Sequence, residues 1–155
     1  MALITCDFFS DELQMGTTIT ALLPELTAAA DGRTERPSNP PVLYLLHGLS
    51  DDHTSWQRFS SVGRYADAAG IAVVMPSAGR SFYRDEHHGH RYWSYLTEEL
   101  PQVVAAYLGL TPSREQCFVA GLSMGGYGAL KWALRQPERF AAAASMSGTV
   151  DIAAM

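Results

Sequence analysis

The run Gly121-Leu122-Ser123-Met124-Gly125 sets a serine between two glycines at G-x-S-x-G spacing. A serine hydroxyl exposed on a tight turn can attack a carbonyl carbon, and glycines two residues to either side keep the turn clear of its neighbours. The pattern alone is weak; its setting is more specific. The apolar run Cys117 to Ala120 leads directly into it, and Gly125 to Gln136 leads out with an apolar helical face. Strand, turn and helix are the surroundings that such a nucleophile needs. Gly126 and Gly128 thin the first helical turn and permit close packing. The plain alternative is an ordinary glycine-rich turn with a capping serine.

A serine nucleophile needs donors for the oxyanion that forms on its substrate. One expected donor is the backbone N–H of Met124, directly after Ser123. The second is the backbone N–H of Leu49, in the His47-Gly48-Leu49 segment that ends the apolar run Val42 to Leu46. Gly48 lets the backbone approach a substrate. His47 reads as a satisfied polar group beneath the loop rather than as a general base.

The elements that must position these residues follow from periodicity. Leu3 to Phe9 alternates with Ile4, Cys6 and Phe8 on one face, and Thr17 to Leu23 is rich in β-branched residues. They predict an antiparallel pair. Asp31 to Pro41 is polar and proline-rich and reads as an exposed loop. Val42 to Leu46 and Ile71 to Met75 predict strands buried on both faces. Thr54 and Gln57 fit a capping box ahead of one helix from Trp56 to Ala69, stopped by Gly70. Trp93 to Tyr107 shares a helical face, with Pro101 expected to kink or split it. Phe140 to Met146 is a last strand. Strands alternating with helices imply an α/β fold: one mainly parallel sheet with helices on both faces. Active sites of such sheets lie at the carboxyl ends of the strands, here after His47, Met75 and Ala120.

The composition narrows the function. The chain has 155 residues, 47% of them apolar and 17% charged, with a net charge of −5. One domain spanning residues 1–155 is expected. The negative balance disfavours nucleic acid as a partner. No apolar run reaches the roughly 18 residues of a membrane span, and no signal-peptide pattern opens the chain, so a soluble cytoplasmic protein is expected. Cys6 and Cys117 read as structural. His87-His88-Gly89-His90 invites a metal reading, with Asp85 and Glu86 as added ligands, but one loop gives poor tetrahedral geometry. A solvated lid is expected there, with no metal and no cofactor. Trp56, Phe82, Tyr83, Tyr92 and Trp93 lie near the active edge. Some are expected to line an acyl pocket, with Trp56 and Trp93 assigned to the core.

These residues resemble the esterase D and tributyrin esterase group of α/β-hydrolases. Tyr44-Leu-Leu-His-Gly-Leu-Ser with Trp56 downstream is similar to that group's oxyanion segment. Glu98-Glu-Leu-Pro-Gln-Val-Val resembles its proline-containing helix, and Val119-Ala-Gly-Leu-Ser-Met-Gly-Gly-Tyr-Gly-Ala its nucleophile elbow. Ala144-Ser-Met-Ser-Gly resembles the strand that follows. The resemblance implies an α/β-hydrolase-like sheet and cofactor-free hydrolysis of small or short-chain acyl esters through an acyl-serine. Related proteins include S-formylglutathione hydrolases, feruloyl and acetyl-xylan esterases, and mycolyl transferases.

In that fold the acid and the histidine of the triad follow the serine. No histidine follows Ser123 here, and Asp151, the only later aspartate, comes one strand too early. The expectation is a sheet truncated after the strand following the nucleophile helix, lacking triad acid and base. A substitute base among His87, His88 and His90 is the alternative. Two other functions stay open: an acyltransferase of the same fold, and a non-catalytic pseudo-enzyme or binding domain. The isolated chain is expected to be a poor esterase. The strand Phe140 to Met146, without neighbours, is expected to favour homo-oligomers.

Overall fold

Alternation builds the first strand, and β-branched residues the second. In β1 (Ala2–Ser10) Ile4, Cys6 and Phe8 are partly buried while Leu3, Thr5, Asp7 and Phe9 are exposed. β2 (Met15–Leu23) pairs with it antiparallel, Cys6 opposite Ile19. Glu99 ties their turn: its carboxylate accepts from the Ser10 hydroxyl and, at 2.7 Å, from the Asp11 N–H. The computed structural model describes residues 1–25 and 39–151. The loop expected over Asp31 to Pro41 falls, up to position 38, outside the described residues.

The continuous apolar runs become the centre of the sheet. β3 (Val42–Leu46), β4 (Ala72–Pro76) and β5 (Cys117–Leu122) lie side by side, with β6 (Ala142–Met146) at the edge. The strand order is β1-β2-β4-β3-β5-β6. β3 is parallel to β4 and β5, and β5 is parallel to β6, whereas β2 runs antiparallel to both of its neighbours. The mainly parallel sheet read from the sequence is therefore present, and β3, β4 and β5 deliver their following loops to one edge.

Helices cover both faces. On one, Tyr44 and Val119 pack with Leu96, Leu100 and Val104, and with Trp132 of the helix Met124–Arg135, α5. The Trp132 ring lies 5.2 Å from Tyr44 and 5.0 Å from Phe140, centroid to centroid. On the other face Leu45, Val73, Met75 and Ala120 meet Ala66, Trp56 and Val62. That second layer is thinner, and an apolar groove of about 460 Å³ stays open along it between Trp56, Tyr65 and Met146. β6 is an edge strand with Ala142, Ala143 and Ala144 exposed, as expected of this alanine-rich run.

Two local expectations are corrected. The helix read from Trp56 to Ala69 is two helices, α1 (Ser55–Phe59) and α2 (Val62–Ala69), parted by an extended Ser60. The Ser60 hydroxyl accepts the Val62 N–H at 3.2 Å and donates to the Trp56 carbonyl, so it competes with the helix for its own backbone groups. No capping box forms at Thr54. Asp52 takes that place, its Oδ1 accepting from the Thr54 N–H (2.8 Å) and hydroxyl (2.6 Å). Gly70 does end α2, left-handed at φ 65°.

Pro101 acts as its chemistry requires. α3 (Tyr92–Ser94), a π-helical turn (Tyr95–Glu99) and α4 (Leu100–Leu108) form one rod. Pro101 has no N–H to give the Thr97 carbonyl one turn back. The backbone widens there, with Leu100 N–H donating to the Tyr95 carbonyl five residues earlier. The Arg139 guanidinium donates to the Thr97 carbonyl instead, at 3.3 Å. Among the described residues no helix is long and apolar enough to cross a membrane.

The aromatic core under β3 and β5 sets a stability test. Trp132 is fully buried and its indole N–H donates to Gln136 Oε1 at 2.9 Å. Trp132→Ala is expected to cost about 3–5 kcal/mol in urea unfolding. A loss below about 1 kcal/mol would mean that the aromatic cluster is not what joins α5 to the sheet.

Candidate active site

Ser123 stands where β5 ends and α5 begins, with φ 55° and ψ −115°. Its N–H donates to the Met146 carbonyl of β6 at 2.9 Å, and its own carbonyl accepts the Tyr127 N–H at 3.0 Å, the first bond of α5. The glycines have steric causes. A Cβ on Gly121 would lie 2.2 Å from the Gly125 oxygen, and one on Gly125 would lie 2.3 Å from the Leu46 oxygen of β3. A side chain at either would drive strand and helix apart. Gly126 and Gly128 pack as closely, against Ser145 and Gly148 and against the Tyr83 ring. Met124 is the first helical residue, and N–H groups of a first turn have no carbonyl partner within the helix.

The loop after β3 lies against this turn. A Cβ on Gly48 would sit 3.7 Å from the Leu122 oxygen and 3.9 Å from Ser123 Cβ. His47, buried beneath, is locked as a neutral ring. The Ala78 N–H donates to its Nε2 at 2.9 Å, so that nitrogen carries the lone pair. Nδ1 then holds the proton and donates to the Gly48 carbonyl at 2.7 Å. Burial holds its pKa below the usual imidazole value. The Asp51 N–H donates to the same Gly48 carbonyl at 3.2 Å. Across the trans Gly48–Leu49 peptide, the Leu49 N–H points away from that carbonyl, and so away from the His47 ring. The Tyr83 hydroxyl donates to the His47 carbonyl at 2.9 Å, and the Trp56 indole donates to the Leu46 carbonyl at 3.1 Å.

The sequence reading is thus right about His47, as a polar group satisfied beneath its loop, and incomplete about Tyr83. Tyr83 is fully buried and spends its hydroxyl on the His47 backbone. Lys131, whose Nζ donates to the Tyr83 carbonyl at 2.7 Å, has no motif around it. One sequence signal marks it: it is the only lysine in the chain.

The other histidines have hydrogen-bond partners other than the serine. His53 Nδ1 bonds the Thr20 hydroxyl at 2.7 Å, and His90 Nδ1 donates to the Leu13 carbonyl at 2.7 Å. His87 and His88 pair with each other at 2.9 Å. Among the described residues no three His, Cys, Asp or Glu side chains gather as a metal site. The Asp85 carboxylate accepts the Trp93 and Ser94 N–H groups and so caps α3.

Comparison with known proteins accords with this geometry. The profile of the family described as putative esterase matches residues 10–155. An acetyl esterase of Caldicellulosiruptor saccharolyticus is 30% identical over 98% of this chain and 58% of its own length. The diacylglycerol acyltransferase/mycolyltransferase Ag85A of Mycobacterium tuberculosis is 35% identical over 74% of this chain and 37% of its own. The solved structure of FphF, a fluorophosphonate-binding serine hydrolase of Staphylococcus aureus, superposes with a TM-score of 0.84 at 36% identity, covering 95% of this chain and 57% of that one. The chain spans less than two thirds of each of these proteins.

Two measurements test the site's geometry. A φ of 55° strains a serine, and glycine adopts it freely. Ser123→Gly is therefore expected to raise unfolding stability by about 1 kcal/mol; a loss of stability would contradict a strained elbow. His47 titrates below its unfolded value of 6.5, so its contribution is full above that pH. As pH falls below about 6.5 the unfolded chain takes up a proton that the folded chain refuses, and stability declines. In His47→Gln that part of the acid slope is expected to vanish; an unchanged slope would place the titration elsewhere.

Proposed function

As the chain belongs to the putative esterase family, we propose that it carries the nucleophile and oxyanion site of a carboxylic ester hydrolase acting on small or short-chain acyl esters. The observation that carries this reading is Ser123 on its strained turn with the Gly48 backbone beside it. Ser123 Oγ attacks the ester carbonyl carbon, and its proton passes to a base. The N–H groups of Leu49 and Met124 stabilise the oxyanion of the tetrahedral intermediate. Collapse expels the alcohol, which takes up a proton, and leaves an acyl-serine. Water then releases the carboxylic acid and restores Ser123.

No histidine of residues 1–155 serves as that base in this reading. All five precede the serine, and those with a described hydrogen bond spend it on other groups. Base and acid come from outside these residues, and the 155 residues alone turn over esters poorly. Small esters suffice as partners; neither cofactor nor metal is needed for this chemistry. The likeness to a mycolyltransferase supports a second reading, in which an alcohol replaces water as acceptor of the acyl group.

A fluorophosphonate probe followed by peptide mapping tests the assignment. Slow labelling at Ser123, abolished in Ser123→Ala, is the expected result. Ester turnover is expected to fall short of a complete serine hydrolase by roughly 10³-fold or more. An unlabelled Ser123 would point to a non-catalytic binding domain. Fast turnover that disappears on substituting one of His47, His53, His87, His88 or His90 would overturn the assignment of the histidines. Ester formation from an added alcohol would favour the transferase.

A further inference from the structure

Lys131 is the only lysine among the eleven Lys and Arg residues of the chain, and its side chain is turned inward. We propose that Lys131 is a positioning residue: through Tyr83 and His47 it holds the Gly48–Leu49 peptide in place beside Ser123. The proposal rests on the reading of that peptide as the oxyanion site.

The contacts run without a gap. Lys131 Nζ donates to the Tyr83 carbonyl at 2.7 Å and lies 4.2 Å from the centroid of the Trp93 ring. Gly128, one turn earlier on the same face of α5, lets the Tyr83 ring approach so closely that a Cβ there would lie 2.5 Å from it. Helix α5 thus grips Tyr83 at both its ring and its carbonyl. The Tyr83 hydroxyl donates to the His47 carbonyl at 2.9 Å, and the His47 ring donates to the Gly48 carbonyl at 2.7 Å.

A clamp is needed because the gripped segment is strained. Phe82 and Tyr83 are consecutive residues at φ 51° and 49°. Two side-chain-bearing residues in the left-handed region persist only where their surroundings impose it. The Ser81 hydroxyl, accepting the Tyr83 N–H at 3.0 Å, satisfies one side of this turn, and Lys131 satisfies the other. A cation suits the place: on a long stem it reaches a single carbonyl over one ring face.

The charge on the clamp can be removed in solution. Burial, followed by the neighbouring Arg135, brings Lys131 down to about 8. The charged groups that face it are Arg135 from its own helix and Arg84 and Asp85 from the loop carrying Tyr83, Asp85 opposing the shift. Deprotonation takes away the charge assistance of the bond to Tyr83 and the attraction to Trp93.

The experiment follows the backbone amides of Gly48 and Leu49 and the His47 Nδ1–H by nitrogen–proton NMR, from about pH 6.5 to 9.5. In the native chain these resonances are expected to move with a midpoint near 8. Lys131→Arg, which keeps its charge, is expected to hold them still across that midpoint. Lys131→Met is expected to show the high-pH positions already at neutral pH. Fluorophosphonate labelling of Ser123 is expected to slow roughly tenfold in Lys131→Met and to recover in Lys131→Arg. Amides in Lys131→Met that match the native ones at neutral pH, or native amides that stay still from about pH 6.5 to 9.5, would overturn the clamp. The native titration decides the matter even if Lys131→Met fails to fold. Labelling absent from the native chain would sink the esterase reading instead, while the amide shifts still judge the clamp.

Discussion

The first turn of α5 rests directly on the backbone of β3. Gly125 has no Cβ, and only for that reason can it come within contact of the Leu46 carbonyl. The approach sets the height at which the helix leaves the sheet, and with it the place of Ser123. It also brings the end of β3 beside the turn, so that Gly48 meets Leu122 and Ser123. A helix raised by one methyl group would separate the serine from the loop after β3, and the site would be two unrelated turns on a sheet edge.

The loop after β3 is held by hydrogen bonds to its backbone from four directions. Trp56 reaches the Leu46 carbonyl, Tyr83 the His47 carbonyl, and the His47 ring and the Asp51 N–H share the Gly48 carbonyl. Each contributes on the order of 1 kcal/mol, and more where both partners are buried. Their joint effect is orientation: with every nearby carbonyl occupied, the Leu49 N–H is left facing the other way. In the proposed reading of Leu49 as an oxyanion donor, an N–H held in this way need not reorganise when charge develops on a substrate oxygen.

The strain at Ser123 and the neutrality of His47 have a common origin in that arrangement. Both are unfavourable for an isolated residue, and both are imposed by packing around β3, β5 and α5. The second face of the sheet is more open. There the helices α1 and α2 leave an apolar groove along Leu45, Ala120 and Met146 next to the exposed edge of β6.

Much of this was legible in the amino-acid sequence. Apolar runs bounded by glycine and proline give β3, β4 and β5 nearly to the residue, because strands buried on both faces leave a pattern that needs no partner to be read. The turn at Ser123 is legible because its glycines answer a local steric demand. The break at Ser60 and the Asp52 cap were not, since Ser, Thr and Asp side chains choose among several nearby backbone groups and the sequence does not say which. Nor were the π turn before Pro101 and its rescue by Arg139 from a distant segment. The tautomer of His47, the burial of Tyr83 and the engagement of Lys131 depend on donors and acceptors brought from 31, 36 and 48 residues away. Local pattern determined which residues form the strands and the glycine-flanked turn at Ser123; only the folded chain decided which way each buried polar group faces, because that depends on partners that no local pattern names.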